Sequence, residues 1–475
     1  MNRVERLQDD ILEGPIIKTL LVLGWPVMLS NVFQMLYNLV DTYWLGKIGK
    51  EAVAAPTVGF PIVFLLISLG FGFSIAGVAL VSQHTGAGSS DEADHAAGQV
   101  ISFMFLASII LGAIGFFVSK PLLGYLMDVP EAVFPKALIY IRIIFAGLPL
   151  MFIFFGFRAL SRGVGNMVTP MILTGISIFV NVVLDPVLIF GWWIFPEMGV
   201  AGAAIATVFS RALVSFMAFY LMFSGKVGIH LKLSYLKLKL DRVKQIISIG
   251  GPSAVGQAGT ALGAIILMGL ISRLGVVAVS AYGIGQRIIS MLNVVIWGFS
   301  SPLTTMIGQN IGAEKINRAK RVFKQAFSWS FIIISLFGGL VFLARKPIFQ
   351  AFIQDAAVIE EGAKFLAIFT WSIPFFGIFA LSSAVFRGSG HTKPPMFLSL
   401  VRLLIFRVGI SYLLAFGILG IDMGTSGIWW GLSSSNILAA FLSISFIIFI
   451  KWEVPTIEGK SQKKIKKVSE TAPVQ

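Results

Sequence analysis

The sequence contains no cysteine among its 475 residues and only four histidines. Without cysteine the chain can form neither a disulfide nor a thiolate metal site. The histidines (His84, His95, His230 and His391) are scattered over predicted loops, so a histidine-built metal site is not expected. Charged residues are also scarce, at 12% of the chain against about a quarter in an ordinary soluble domain. This scarcity excludes an ordinary soluble globule.

Apolar residues take their place, making up 56% of the chain and giving a mean hydropathy of +0.88. Twelve apolar runs are bounded by charge or by Pro/Gly turns and reach the length of about 20 residues that a membrane-crossing helix needs. The linkers between them are too short to hold a separate soluble domain. We therefore expect an all-α polytopic membrane protein with twelve transmembrane helices. No short apolar core with a cleavage site follows the polar first residues, so the first span is expected to stay uncleaved.

The basic residues behind the net charge of +15 are unevenly distributed. Six Lys and Arg residues lie within 226–244, and six more follow residue 450. Because cytoplasmic loops of membrane proteins are enriched in Lys and Arg, both termini are predicted to be cytoplasmic. We interpret the charge as a topology signal and as an attraction to anionic membrane lipids, with no role in nucleic-acid binding.

An internal repeat organises the chain. The segment LGWP at 23–26 corresponds to IGGP at 249–252, and RGVG at 162–165 corresponds to RGSG at 387–390. The repeat comprises two sets of six helices, which would begin on the same side of the membrane. Parallel repeats of this kind, related by a pseudo-two-fold axis along the membrane normal, are typical of some secondary transporters.

The repeat predicts four segments. These are an N-terminal six-helix lobe (1–225), a basic cytoplasmic linker (226–245), a C-terminal six-helix lobe (246–450) and a basic cytoplasmic tail (451–475). Two lobes that rock against each other suit alternating access, although duplication could also serve only to build a stable bundle. The RGVGN and RGSGH turns resemble fragments of phosphate loops, but neither joins a strand to a helix, so we interpret both as cytoplasmic turns.

Two acidic residues lie inside predicted spans, Asp41 in the first helix and Asp185 in the fifth. Their equivalents in the second half are Leu267 and Ile410. A carboxylate within a membrane span is costly and usually faces a bundle interior or an aqueous cavity. The asymmetry favours a functional role in the first half. The alternative is that each acid forms a structural ion pair or caps a helix end.

The two acids are predicted to lie at similar depth and could share a pocket. Asp41 and Asp185 would then titrate as a coupled system that binds one proton or one Na⁺ and releases it again. Each acid has a polar companion one turn earlier, Tyr37 and Asn181. These two side chains and Thr207 in the sixth helix would add oxygen ligands of the kind that hard cations prefer.

Three further features have more than one interpretation. Tyr140 in the fourth helix could hydrogen-bond to this site or lie at the membrane interface, as tyrosines often do. Pro26 could be a hinge in the first helix or, since Pro252 occupies the equivalent position, a shared structural kink. Arginines within spans are expected to be buried against partners, and those in the second half could meet helix ends or lipid phosphate. The intramembrane arginines are Arg211, Arg287, Arg402 and Arg407.

Together these motifs resemble the multidrug and toxic compound extrusion (MATE) transporters across nearly the whole chain. The resemblance rests on the LGWP opening, YNLVDTYWLGKIG at 37–49, QxxGA at 83–87, RGxGN followed by TP at 162–170, NVVLDPxLIFG at 181–191 and the repeat. The acids of the first half, which lack acidic equivalents in the second, are similar to those of the prokaryotic DinF-type branch.

The resemblance implies a secondary active antiporter, and no enzyme, that exports amphipathic or cationic organic compounds in exchange for H⁺ or Na⁺. Its coupling site would lie in the N-terminal lobe, with Asp41 and Asp185 as the ligands of any Na⁺. Tyr37, Asn181 and Thr207 map onto the same site.

Gln34 and Asn38 would be neighbours in a substrate pocket. Ser177 joins them on spacing alone, unless its hydroxyl bonds to its own helix backbone. The resemblance also implies no cofactor, membrane lipids as partners, a monomer and a location in the prokaryotic plasma (inner) membrane. The alternative is a lipid or lipid-linked oligosaccharide flippase of a related two-lobe fold, which would favour a cavity rich in Arg and Lys. The coupling ion and the physiological substrate stay open.

Overall fold

The computed structural model describes residues 3–127, 129–417, 420 and 422–457. The protein is 85% helical, and the residues described contain no β-strand, as an all-α prediction requires. Most of the predicted basic tail, 451–475, lies outside the described residues.

Among the described residues, twelve helices are long and apolar enough to cross a membrane, which confirms the predicted number. They are α1 (Ile16–Ile48), α2 (Lys50–Gly86), α3 (Ser90–Tyr125), α4 (Phe134–Gly163), α5 (Val168–Phe190), α6 (Gly199–Phe223), α7 (Leu240–Ser272), α8 (Val276–Gly312), α9 (Ile316–Leu343), α10 (Ala356–Gly388), α11 (Lys393–Ala415) and α12 (Thr425–Phe449). Two shorter helices, Arg3–Leu12 and Arg345–Phe352, and a 3₁₀ turn at Leu233–Leu236 lie before or between them.

The fourth helix of each half is its centre. α4 packs against α2, α3 and α6, and it buries Phe145, Phe152, Phe154 and Phe157 almost completely. In the second half, α10 packs in the same way against α8, α9 and α12. The two sets of six helices are therefore organised alike, as the repeat predicts.

The contacts within the chain divide it into two compact units. Of the described residues, unit 1 contains those up to Gln8 together with those in 25–254, and unit 2 contains Asp9–Gly24 and those from Val255 onward. All three boundaries fall inside a helix, one in the helix Arg3–Leu12, one in α1 and one in α7. The predicted lobe and linker boundaries stay a prediction.

The C-terminal end of the helix Arg3–Leu12 is held within unit 2. Arg318 donates to the Ile11 carbonyl at 3.2 Å and to the Gly14 carbonyl at 2.6 Å. A cation at this end of a helix is favourable because the helix dipole is negative there. Lys315 forms a salt bridge with Glu13 at 2.8 Å, and this hydrogen bond and the lysine's charge lower the pKa of the Glu13 carboxyl.

The segment that joins the halves is fixed to the start of α3 within unit 1. Gln99 donates to the carbonyls of Tyr235 and Lys237, both at 2.7 Å, and accepts from the Lys239 backbone N–H at 2.8 Å. Next to it, a Cβ on Gly98 would lie 2.8 Å from the Tyr235 carbonyl oxygen. A side chain at that position would push the joining segment away from α3.

Large apolar side chains lie exposed along the outer faces of the long helices. Phe117 is 74% exposed, Phe179 70% and Phe449 83%. Exposed apolar surface of this extent is typical of a protein that meets lipid or another apolar partner.

Candidate ion-coupling site

The residues predicted for the site all lie in unit 1, on four helices. They are Gln34, Tyr37, Asn38 and Asp41 on α1, Tyr140 on α4, Ser177, Asn181 and Asp185 on α5, and Thr207 on α6.

Two glycines let three of these helices approach closely. A Cβ on Gly202 of α6 would lie 2.5 Å from the Leu188 carbonyl oxygen of α5. A Cβ on Gly147 of α4 would lie 2.5 Å from a methyl group of Val208 on α6. Small residues at such crossings allow membrane helices to pack backbone against backbone. The crossings hold together the parts of α4, α5 and α6 that carry the predicted site residues.

A hydrogen bond ties α1 to α6. The hydroxyl groups of Tyr37 and Thr207 are 2.9 Å apart, and either can be the donor. Thr207 is buried and Tyr37 is half-buried. The structure thus brings together two of the oxygens predicted as ion ligands, from helices far apart in sequence.

On α5, Asn181 and Asp185 form a pair one turn apart. Asn181 donates from Nδ2 to Oδ1 of Asp185 at 3.0 Å, and both side chains are at most 1% exposed. Oδ1 of Asn181 and Oδ2 of Asp185 are buried without a hydrogen-bond partner among the described residues. Pro186 follows and has no N–H, so the Val182 carbonyl lacks its usual helical donor. Acceptors outnumber donors on this turn.

Asp41 faces the same region from α1. It is half-buried, and its Oδ1 atom is buried without a partner among the described residues. Its carboxylate lies within electrostatic reach of Asp185, and Tyr140 lies within reach of both carboxylates and of Tyr37. In the part of the chain that the structure describes, neither acid forms a salt bridge. The structural ion pair considered for these acids is therefore not seen there.

The site therefore holds three buried oxygen atoms, on Asp41, Asn181 and Asp185, that have no partner in the part of the chain that the structure describes. Buried polar atoms in proteins are almost always satisfied, so such a cluster favours a proton or a cation as its ligand. Carboxylate, amide, hydroxyl and carbonyl oxygens can all coordinate a hard monovalent cation. No group of three His, Asp or Glu side chains that could hold a metal ion occurs in the described ranges. Two carboxylates and neutral oxygens fit a singly charged ion.

Arg211 on α6 belongs to this neighbourhood, although the sequence assigns it no role. It is 7% exposed and donates to Oε1 of Gln34 at 3.0 Å. Its guanidinium lies 5.9 Å from the ring centroid of Tyr37, and its Nη1 atom is buried without a partner among the described residues. The sequence signal for this residue is its position four residues after Thr207, on the same helix face.

The remaining predicted residues are Gln34, Asn38, Ser177 and Pro26. The amide oxygen of Gln34 is engaged by Arg211, whereas Asn38 is exposed. Ser177 is buried on α5, one turn before Asn181. Pro26 lies inside α1, and its carbonyl accepts a hydrogen bond from Ser30 at 2.8 Å. The substrate-pocket and hinge roles stay predictions.

A family model described as MatE matches residues 26–187 and again residues 252–413. The chain belongs to the MatE family. Equivalent ends of the two matches lie 226 residues apart, which confirms the repeat. The protein is thus a MATE transporter and no enzyme, as the resemblance implied. Asp41 and Asp185 both lie within the first match. The assignment to the DinF-type branch stays a prediction.

Known relatives are similar along nearly their whole length. The probable multidrug resistance protein YoeA of Bacillus subtilis is 27% identical, over 90% of this chain and 92% of its own. The probable multidrug resistance protein NorM of Thermotoga maritima is 26% identical, over 94% and 95%. The crystal structure of the Vibrio cholerae MATE transporter VcmN in the bent form has a TM-score of 0.82 at 22% identity, covering 95% of this chain and 98% of that one. That likeness shows that the two proteins share the fold.

Proposed function

We propose that this MATE transporter is a secondary active multidrug efflux antiporter that exports amphipathic or cationic organic compounds in exchange for H⁺ or Na⁺. Asp41 and Asp185 form the coupling site, and the ion and the organic compound bind in alternation during alternating access. Pro26 is the proposed hinge of α1. The observation that carries the proposal is the cluster of partnerless buried oxygen atoms on Asp41, Asn181 and Asp185.

The charges of the cluster support a singly charged coupling ion. With both carboxylates ionised and Arg211 protonated, Asp41, Asp185 and Arg211 carry a net charge of −1. One proton or one Na⁺ neutralises the cluster and occupies its free oxygens. Since a charge inside a membrane protein is costly, the neutral cluster can cross between conformations more easily than the charged one.

The names of several relatives support drug efflux. YoeA and NorM are described as probable multidrug resistance proteins, and MepA of Staphylococcus aureus as a multidrug export protein that is 22% identical over 92% of this chain. The Lys and Arg distribution supports cytoplasmic termini, and the bacterial relatives support a location in the prokaryotic plasma membrane.

The test is substrate flux in liposomes that contain the purified protein, with a pH gradient and a Na⁺ gradient imposed separately. We expect a lipophilic cation such as tetraphenylphosphonium to accumulate against its own gradient when either the pH gradient or the Na⁺ gradient is imposed. The gradient that drives this accumulation identifies the coupling ion. Flux that is the same with either gradient and with none contradicts antiport. If lipid probes moved under that condition, the flippase alternative would take its place.

A further inference from the structure

Unit 2 contains a buried basic cluster that the proposed coupling reaction does not use. Arg402 and Arg407 of α11 both donate to one atom, Oδ1 of Asn436 on α12, at 3.3 Å and 2.9 Å. Arg407 also donates to the hydroxyl of Ser435 at 3.2 Å, and Asn436 donates to the hydroxyl of Ser372 at 3.1 Å. The two guanidinium groups therefore lie on either side of a single amide oxygen.

The cluster lacks a counter-charge. Arg402 is 5% exposed, and its Nε atom is buried without a partner among the described residues. In the described part of unit 2, neither arginine forms a salt bridge. The carboxylate of Glu361, an acid of the same unit, accepts a hydrogen bond from the indole N–H of Trp429 at 2.6 Å instead. Arginine stays protonated in proteins, so two positive charges share this interior.

Neutral contacts only partly offset that charge. The Arg402 guanidinium lies 5.0 Å from the ring centroid of Phe376 and 4.8 Å from that of Phe379. Cation–π contacts of this kind are weaker than the cost of burying a charge without a partner. A bound anion would remove most of this cost.

The local backbone places both arginines on one face. Val401–Gly409 is π-helical, with hydrogen bonds between residues five apart. Arg402 and Arg407 are five residues apart, so one π-turn separates them. In an α-helix, residues five apart point about 140° away from each other around the axis. The π-helical segment is thus the feature that lets the two guanidinium groups converge.

The position of the cluster in the repeat is informative. The helix α11 is the repeat equivalent of α5, and Arg407 follows directly on the equivalent of Asn181, which is Phe406. On α12, Asn436 lies 225 residues after Arg211, at the offset that also relates Met198 to Met423. Unit 2 therefore has buried polar groups in the same part of its six-helix set as unit 1, but with the opposite charge.

We propose that Arg402 and Arg407 form an oxyanion site in unit 2, which takes a phosphate or carboxylate group against the half-buried Arg407. The planar arginine fork suits the paired oxygens of such groups. The site is independent of the coupling cluster in unit 1, so either can fail in experiment without the other.

The test is thermal unfolding of the purified full-length protein in a phosphate-free maltoside detergent, titrated with inorganic phosphate at constant ionic strength. We expect phosphate to raise the melting temperature of the wild type. Arg407→Gln should weaken the apparent affinity about tenfold or more, since a charge-assisted hydrogen bond is lost. Arg407→Lys keeps the charge and loses the planar fork, so its apparent phosphate affinity should lie between those of the wild type and Arg407→Gln. This variant replaces Arg407→Gln in the test if the glutamine variant does not fold. Arg345→Gln is the matched control, because it removes the same charge from an arginine outside the cluster, which contacts the ring and the backbone carbonyl of Phe342.

A second arm separates free oxyanions from lipid head groups. The same variants are unfolded in nanodiscs of phosphatidylcholine alone and of phosphatidylcholine mixed with phosphatidylglycerol. Stabilisation of the wild type and the Arg345→Gln control, but not of Arg407→Gln, supports the site. Inorganic phosphate as the effective probe identifies a free oxyanion, and phosphatidylglycerol identifies the head group of an anionic lipid. If the Arg407 variants respond to both probes as the wild type does, or no protein responds, the proposal is overturned.

Discussion

Asp41 and Asp185 differ in how far the protein satisfies their oxygens. Asp185 is completely buried and receives one hydrogen bond from Asn181, whereas Asp41 is half-buried and its Oδ1 atom has no partner among the residues described. The difference fits a shared ion that sits between a fixed carboxylate and one that can reach the aqueous path. Both carboxylates are needed for such a site.

Replacing either acid by its amide should stop coupled transport without unfolding the protein. Asp41→Asn and Asp185→Asn keep the shape of the side chain but remove the charge that the ion neutralises. We expect gradient-driven efflux in liposomes to fall to the level of empty liposomes, with yield and melting temperature unchanged. Asp241→Asn, at an exposed acid on the first turn of α7, is the matched control and should transport like the wild type. Loss of expression in the two test variants would favour a structural role, and wild-type flux would rule out the assignment.

The bond between Tyr37 and Thr207 can be measured as a coupling energy. In the cycle of Tyr37→Phe, Thr207→Val and the double variant, we expect an interaction of about 0.5–1.5 kcal/mol in the free energy of unfolding. Thr174→Val is a control for the loss of a buried threonine hydroxyl, because the Thr174 hydroxyl donates to the Pro170 carbonyl of its own helix. Additive effects of the two substitutions would mean that the 2.9 Å contact contributes nothing to stability.

At the scale of the helices, one buried side chain makes three of the hydrogen bonds that hold the joining segment. Gln99 makes three hydrogen bonds to the backbone of residues 235–239. Gln99→Leu should therefore loosen residues 235–239, and the Lys239 amide should exchange with deuterium about tenfold faster or more, since each lost bond is worth about 0.5–1.5 kcal/mol. The amides of α5 are the internal control and should not change. Unaltered exchange at Lys239 would show that other contacts hold the segment.

The helices were easier to predict than the faces they present. Their number and the two halves follow from hydropathy and repeat, because length and apolar character are what a bilayer selects. A helix that is apolar on all sides has no distinct hydrophobic face. The helices that pack against it therefore cannot be inferred from the periodicity of its sequence. The acids Asp41 and Asp185 stood out because they are exceptions to that composition. The contact of Arg211 with Gln34 depends on how closely α1 and α6 approach, which no local pattern encodes.

The basic cluster of unit 2 could not be predicted from the sequence for a related reason. Arg402 and Arg407 are five residues apart, a spacing that in an α-helix separates them. Only the π-helical turn of α11 brings them to one side, where Asn436 meets both. The sequence of an apolar helix does not predict such a turn, because the buried side chains are equally apolar with or without it.

For the whole molecule, antiport requires that the ion and the organic compound weaken each other's binding. This coupling is reciprocal: the factor by which the ion raises the Kd of the compound equals the factor by which the compound raises the Kd of the ion. For a proton, the Kd of tetraphenylphosphonium should rise as the pH falls; for Na⁺, it should rise with the Na⁺ concentration at fixed pH.

The measurement is equilibrium binding of tetraphenylphosphonium to the purified protein over a range of pH and of Na⁺ concentration. If protons couple, addition of the compound should also release protons into a weakly buffered solution. Asp185→Asn should make the Kd insensitive to the coupling ion, while Asp241→Asn should retain the wild-type dependence. A wild-type Kd that varies with neither ion would mean that the carboxylates do not exchange with the compound, because a ligand without differential affinity for two states cannot shift them.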